Sequence, residues 1–188
     1  MNGFYIDQNG KRANYPMYLK LSLLKLAIEQ RKLSKKVKGS NSYKKQLLKV
    51  ATIHEKVKNQ RLNFHHKLSK ALVTNYDIIT VEKLSLQEMQ ENKLFSRKIS
   101  DMGYHQFLKF LAYKARDYGK AFHQVDKYFP SSKKCSSCGN IKKELPLSQR
   151  TYTCECGNTI NRDVNAAYNL CIEGVKSYFK EDRIASIA

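Results

Sequence analysis

Apolar positions change their period several times along this chain, and each change marks an element. Residues 1–16, MNGFYIDQNGKRANYP, alternate around an Asn9-Gly10 pair, which predicts two short strands joined by a tight turn. From 17 to 34 the period becomes helical, with Leu21, Leu24 and Ile28 recurring at helical spacing. A basic Gly/Ser stretch at 35–43 reads as a loop. Residues 44–74 then read as one long helix, with Leu47, Ala51, Phe64, Leu68 and Leu72 among its apolar positions. YDIITVEK, 76–83, carries the β-formers Ile78, Ile79, Thr80 and Val81 in a run apolar enough for a central strand. Residues 86–99 show no period and read as a loop. A helix is expected over 103–118, with Tyr104, Phe107, Leu108, Leu111 and Ala115 on one face, and a strand over 120–127. A cysteine-bearing insert at 130–160 and a helix at 161–176 follow, and 177–188 is unpatterned. Strand, helix, strand, insert, helix is an α/β order.

Charge narrows the partners. The 188 residues include 35 Lys and Arg against 16 Asp and Glu, a net +19. Such a charge speaks to partners rather than fold, and nucleic acid is the first candidate. An anionic membrane fits less well, because no strongly amphipathic basic helix with an aromatic apolar face is visible. No apolar run approaches the roughly 18 residues of a membrane span, and MNGFYIDQNG has no secretory apolar core. The chain is expected in the cytoplasm. Between 31 and 70 there are 13 basic residues and one acid, Glu55. A solvated face is the ordinary reading of a charge run. Here the imbalance is too large for it, since like charges one turn apart destabilise a helix unless an anion relieves them. Arg31, Lys32, Lys35, Lys36, Lys38, Lys44, Lys45, Lys58, Arg61 and Lys67 are the expected phosphate contacts.

All five cysteines lie after residue 134. Cys135 and Cys138 form Cys-x-x-Cys; after fifteen intervening residues Cys154 and Cys156 form Cys-x-Cys. A disulfide framework would spread its cysteines and need an oxidising compartment. Two knuckle-like pairs around a short hairpin instead match a structural zinc site of the ribbon type. Reduced free thiols or a redox pair are the competing reading. Gly139 and Gly157 each follow the second cysteine of a pair, where the backbone must turn to aim its N–H groups at sulfur. Cys171 sits in an apolar helical stretch and is expected to be a buried core thiol.

With so few acids, each is informative. Glu82 closes the apolar strand, and Asp163 stands in the first turn of the last helix. Strand ends and helix starts are where a two-metal nuclease gathers its carboxylates. A salt-bridged strand end and a dipole-favoured first-turn acid are the plain alternatives.

At this point a resemblance emerges. IEQRKLSKKVKGS (28–40), HEKVKNQRLNFHHKLS (54–69), IITVEKLSLQEM (78–89), FPSSKKCSSCG (129–139), ELPLSQRTYTCECG (144–157) and NRDVNAAYNL (161–170) resemble, in order, blocks of the C-terminal half of the TnpB (OrfB) proteins of insertion sequences. These are RNA-guided DNA endonucleases with a RuvC-like domain. The resemblance covers about residues 8–172. It implies a RuvC-like (RNase H-like) α/β fold lacking its first strand, with long basic helices and an inserted zinc ribbon. The core would be 1–130 and 160–176, the ribbon 131–159 and the tail 177–188. It implies Glu82 and Asp163 as catalytic acids holding Mg²⁺, Cys135, Cys138, Cys154 and Cys156 as ligands of a structural Zn²⁺, and guide RNA and DNA as partners. Arg162, beside the acid, would steady a scissile phosphate or simply start the helix. The family's first catalytic Asp is expected upstream of ANYP (13–16) by more residues than this chain has. Asp7 lies too close to Pro16 and reads as a turn residue. Two carboxylates are too few for both metals, so the chain is expected to be a poor nuclease alone, unless a separately encoded half completes it. The competing reading is a non-enzymatic DNA- or RNA-binding zinc-ribbon protein, such as a nuclease-dead repressor. The ordered blocks argue against a basic zinc-ribbon protein of the ribosomal kind.

Overall fold

A computed structural model of the chain describes residues 3–85, 96–146 and 148–185. The elements run β1 (Gly3–Ile6), β2 (Arg12–Asn14), α1 (Tyr18–Ser34), α2 (Asn41–Asn75), β3 (Ile78–Glu82), α3 (Ser96–Met102), α4 (Tyr104–Asp117), β4 (Ala121–Val125), β5 (Thr151–Thr153), β6 (Thr159–Asn161) and α5 (Arg162–Ala185). The chain divides into two compact units.

The first unit takes its described residues from 3–15, 72–85 and 111–185. β1 and β2 form the expected antiparallel hairpin. Its turn is held by Asp7, whose Oδ1 accepts the N–H groups of Asn9 and Lys11 at 3.0 and 2.8 Å, and Gly10 takes a left-handed φ of 78°. Asp7 Oδ2 also accepts the Tyr76 hydroxyl at 3.1 Å, so this acid is engaged by the fold. β3 and β4 pair in parallel, Ile78 opposite Ala121 through Glu82 opposite Val125. The sequence suggests a central strand, yet among the described residues β3 is bonded on one side only. α5 lies against both strands. The helix approaches β3 tightly at Gly174, where an added Cβ would overlap the Thr80 side chain. α5 also overturns the expected end of the last helix. The stretch from 177 to 185 continues it, because no proline interrupts the backbone after Gly174. Cys171, expected in the core, is only half-buried on this helix.

The second unit comprises described residues 16–71 and 96–110. α1 and α2 pack through Leu26, Val50, Ile53 and Leu33. Toward the end joined by residues 35–40, Gln46 donates to the Glu29 carbonyl at 3.0 Å and to Glu29 Oε2 at 2.7 Å. The buried stripe of α2 runs Gln46, Val50, Ile53, Val57, His65, Ser69 and Val73. Leu47 and Ala51, expected on the apolar side, face solvent, as do Leu21, Leu24 and Ile28 of α1. α1 has leucines all round its circumference, so spacing alone could not pick the inward side. The expected 86–99 loop is corrected over 96–99, which belong to α3, while 86–95 lie outside the described residues. Asp101, buried at the end of α3, accepts the Leu19 N–H with both oxygens at 3.3 and 3.2 Å and caps the start of α1.

Candidate functional site

The cysteine ribbon is built by local turns. β5 and β6 pair in antiparallel register, and Lys134 bridges Ile141 across the first knuckle. Gly139 and Gly157 hold φ of 80° and 87°, the conformation that their positions after the cysteine pairs require. Leu145, Tyr152 and Ile160 pack against Cys135 and Cys154. The result brings Cys135, Cys138, Cys154 and Cys156 together, with all four Sγ atoms within 4.8 Å of one another. Cys135 Sγ stands 3.7 Å from Cys156 Sγ, and Cys138 Sγ 3.6 Å from Cys154 Sγ. A tetrahedral zinc thiolate site with Zn–S near 2.3 Å has sulfur–sulfur edges of about 3.8 Å. The donor set and spacing therefore fit Zn²⁺.

Protonation agrees with a need for a cation. Burial pushes the Cys135 thiol up, but N–H groups of Cys138 and Ser137 and the Asn158 amide outweigh it and bring it down to about 6. The Asn140 N–H favours the Cys138 thiolate, but the thiols of Cys156 and Cys154 oppose it and Cys138 is pushed up to about 12. Four sulfurs this close cannot all ionise unless a cation balances them. Burial, then the neighbouring Cys135, raises the Tyr152 phenol to about 12. It stays protonated and donates to the Lys133 carbonyl at 3.1 Å.

The two acids lie on touching elements of the first unit. Glu82 ends β3 and is half-buried, and its carboxylate takes no hydrogen bond or ion pair among the described residues. Burial raises its pKa above the ordinary carboxylate value. Asp163 is the second residue of α5, which packs on β3. Asn161 caps that helix, its Oδ1 accepting the Asp163 N–H at 3.0 Å and the Val164 N–H at 3.4 Å. The arginine at Asp163 is Arg12 of β2, whose guanidinium sits 3.6 Å from Oδ2. For Arg162 the sequence left two readings, a phosphate contact beside the acid or a structural arginine at the helix start. Arg162 donates from its guanidinium to the Pro146 carbonyl at 2.8 Å and from its main chain to the Arg150 carbonyl at 2.9 Å.

Arg31, Lys32, Lys35, Lys36, Lys38, Lys44, Lys45, Lys58 and Lys67 are exposed on α1, α2 and the loop between them. Lys32 is paired with Glu29 at 2.7 Å. Arg61 differs: it is half-buried, and its guanidinium reaches inward to Asp101 at 3.4 Å.

Comparison with known proteins bears on these three features together. Residues 1–93 match the OrfB_IS605 family model, described as "Probable transposase". Residues 104–170, which contain the four cysteines and Asp163, match the model described as "Cas12f1-like, TNB domain". The chain belongs to the TnpB (OrfB) family. Within that family, a protein of Streptomyces pristinaespiralis named "Putative RNA-guided DNA endonuclease" is 37% identical over 166 residues, covering 88% of this chain and 41% of that protein. The Escherichia coli protein named "Putative RNA-guided DNA endonuclease InsQ" is 34% identical, covering 80% of this chain and 41% of that one. The chain thus spans about two fifths of the length of these curated TnpB relatives, in their C-terminal part. Among solved structures, it resembles the protein of a Cas12f1–sgRNA–target DNA complex with a TM-score of 0.57 at 20% identity, over 85% of this chain and 43% of that one. A CRISPR-Cas12f ternary complex gives 0.59 at 21%, over 88% and 35%. At these identities the likeness concerns the fold, mixed α/β of the Cas12f kind. Among the described residues no helix is long and apolar enough to cross a membrane.

Proposed function

We propose that this chain carries acidic and nucleic-acid-binding elements of a metal-dependent, RNA-guided DNA endonuclease, with Glu82 and Asp163 as its acids. Glu82 gives the reading its main support: a half-buried carboxylate with no partner among the described residues, on the strand that α5 packs against. Such a group is held ionised most readily by a cation. Glu82 and Asp163 would hold Mg²⁺, which supplies charge to polarise a scissile phosphate and to acidify an attacking water. Arg12 balances Asp163 until then and offers a guanidinium to a phosphate brought to the same point. Arg31, Lys32, Lys35, Lys36, Lys38, Lys44, Lys45, Lys58 and Lys67 contact backbone phosphates. The Cas12f1 relative was solved with sgRNA and target DNA, and we take guide RNA and DNA in the cytoplasm as the partners here. Two acids make a partial ligand set for two-metal chemistry, so the chain alone is expected to bind without cutting well.

The test adds a strand bearing a further Asp, in cis or as a second polypeptide, and supplies guide RNA, plasmid DNA and Mg²⁺. Cleavage that appears with the added strand and vanishes in Glu82→Ala or Asp163→Ala is the expected result. A hybrid that binds nucleic acid but never cuts overturns the assignment of these acids. The Arg12–Asp163 ion pair favours one second reading, a non-enzymatic binder in which Asp163 is a structural partner. In that case Mn²⁺ would find no site at Glu82 and Asp163.

A further inference from the structure

Asp163 stands in the first turn of α5, which Asn161 caps, and two further asparagines tie that turn of the helix to the cysteine ribbon from another face. Asn165 and Asn169 are four apart, hence on one face, and both are buried, Asn165 completely. Asn165 lies two residues from Asp163, about 200° round the helix at 3.6 residues per turn. The acid and the asparagines therefore occupy opposite sides.

The asparagines spend their hydrogen bonds on the main chain of the first cysteine knuckle. Asn165 Oδ1 accepts the Ser136 N–H at 3.0 Å, and its Nδ2 donates to the Lys134 carbonyl at 2.7 Å. Asn169 Nδ2 donates to the same carbonyl at 2.7 Å and to that of Ser131 at 2.8 Å. Lys134 and Ser136 flank Cys135, the one fully buried sulfur ligand. The knuckle itself is tied by Cys135 N–H to the Asn140 carbonyl at 2.8 Å and by Gly139 N–H to the Cys135 carbonyl at 3.0 Å. From the second cysteine pair, Asn158 Nδ2 reaches Cys135 Sγ and Ser136 Oγ, each at 3.4 Å. Residues 134–136 are therefore gripped by the cysteine site on one side and by α5 on the other.

Small cysteine ribbons take their fold from the ion they bind. A buried amide that loses its partner is strongly destabilising. Together these make the helix start depend on the ribbon's metal. We propose that Asn165 and Asn169 are positioning residues that couple metal occupancy of the cysteine ribbon to the placement of Asp163. The coupling itself stands on the hydrogen bonds above; its meaning for catalysis rests on the nuclease reading.

Coupling is reciprocal, and that separates it from simple packing. The experiment uses the full chain, loaded with Zn²⁺ or stripped by a chelator, and follows amide hydrogen exchange over 162–172. Exchange of β3 and β4 serves as an internal control. In the wild type, stripping should speed exchange over 162–172 about tenfold, and the control strands should change far less. In zinc-loaded Asn165→Ala the same segment should already exchange about tenfold faster, and stripping should add less than twofold. Zinc affinity of Asn165→Ala, read against a chromophoric chelator, should fall by a similar factor although all four cysteines remain. A merely structural asparagine would leave the zinc affinity unchanged. Unaltered exchange in the stripped wild type, or full zinc affinity in Asn165→Ala, overturns the coupling. If Asn165→Ala also exposes β3 and β4, Asn169→Ala keeps both Asn165 bonds and should shift both readouts in the same direction by a smaller amount; no shift overturns the proposal. Mn²⁺ relaxation of water protons reports on Glu82 and Asp163 separately. Binding that weakens when zinc is stripped supports the role at Asp163. No Mn²⁺ binding in zinc-loaded wild type overturns that role together with the nuclease reading, while exchange still decides the coupling.

Discussion

Glu82 carries an electrostatic cost at the end of β3. Its folded pKa lies above the unfolded value of 4.5 because burial disfavours the charge. The folded chain therefore holds this proton more tightly, and stability from Glu82 falls as pH rises from about 4.5 through the folded pKa. Glu82→Gln should be more stable than wild type at pH 7 and lose that advantage below pH 4.5, as thermal melts across pH would read. Millimolar Mn²⁺ should raise the melting temperature of the wild type and leave Glu82→Gln unmoved. Asp101 is a buried carboxylate that has partners. It is nearly fully buried, paired with Arg61 and capping α1. Asp101→Ala leaves a half-buried guanidinium and a helix start without partners and should cost about 2–4 kcal/mol in urea unfolding. This pair also sets Arg61 apart from the other cations expected to contact phosphate, because its guanidinium has a partner within the fold. One more cation in a basic run looks like its neighbours, and its partner lies 40 residues away.

Helix faces and close approaches belong to the scale of elements. Gly174 weakens α5 by intrinsic propensity, and alanine there would ordinarily gain about 1 kcal/mol. Contact decides otherwise, because the new Cβ would fall 2.2 Å from Thr80 Cγ2 and 2.6 Å from Thr80 Cβ. Gly174→Ala should therefore destabilise by roughly 1–3 kcal/mol. Thr80→Ala should rescue only part of that, since the Thr80 Cβ stays; urea midpoints of the four proteins test it. Elements written in local signals are legible from sequence. The Asn9-Gly10 hairpin, the 35-residue α2 and the cysteine knuckles each follow from residues a few positions apart. The continuation of α5 past 176 is not, because KSYFKEDRIA shows no helical apolar period. Nor is the inward side of α1, whose Leu26 is buried while Leu21 and Leu24 face water. Asn165 and Asn169 read as ordinary polar helix residues; only their meeting with the knuckle's main chain reveals what they hold.

For the whole molecule, a net charge of +19 would make the proposed nucleic-acid affinity a function of salt. Replacing Lys35, Lys36 and Lys38 together by alanine should flatten the log–log salt dependence of binding by roughly 2–3, with little effect on sequence preference. Filter binding from 50 to 300 mM salt would show it, and an unchanged slope would mean that this loop makes no phosphate contact. The order of blocks along the chain carried the family and the mixed α/β class, whereas the two-unit division depends on packing between distant segments and could not be read from them. The cysteine ribbon has one more consequence. Its sulfurs meet across the two knuckles, Cys135 to Cys156 at 3.7 Å and Cys138 to Cys154 at 3.6 Å, within reach of disulfide formation between them. Once its ion is lost, the chain in air would oxidise across the ribbon and stitch the two knuckles together. Such a molecule keeps much of its shape but has no thiolates left to recapture zinc, so chelation followed by aeration is a one-way step that only a reductant reverses.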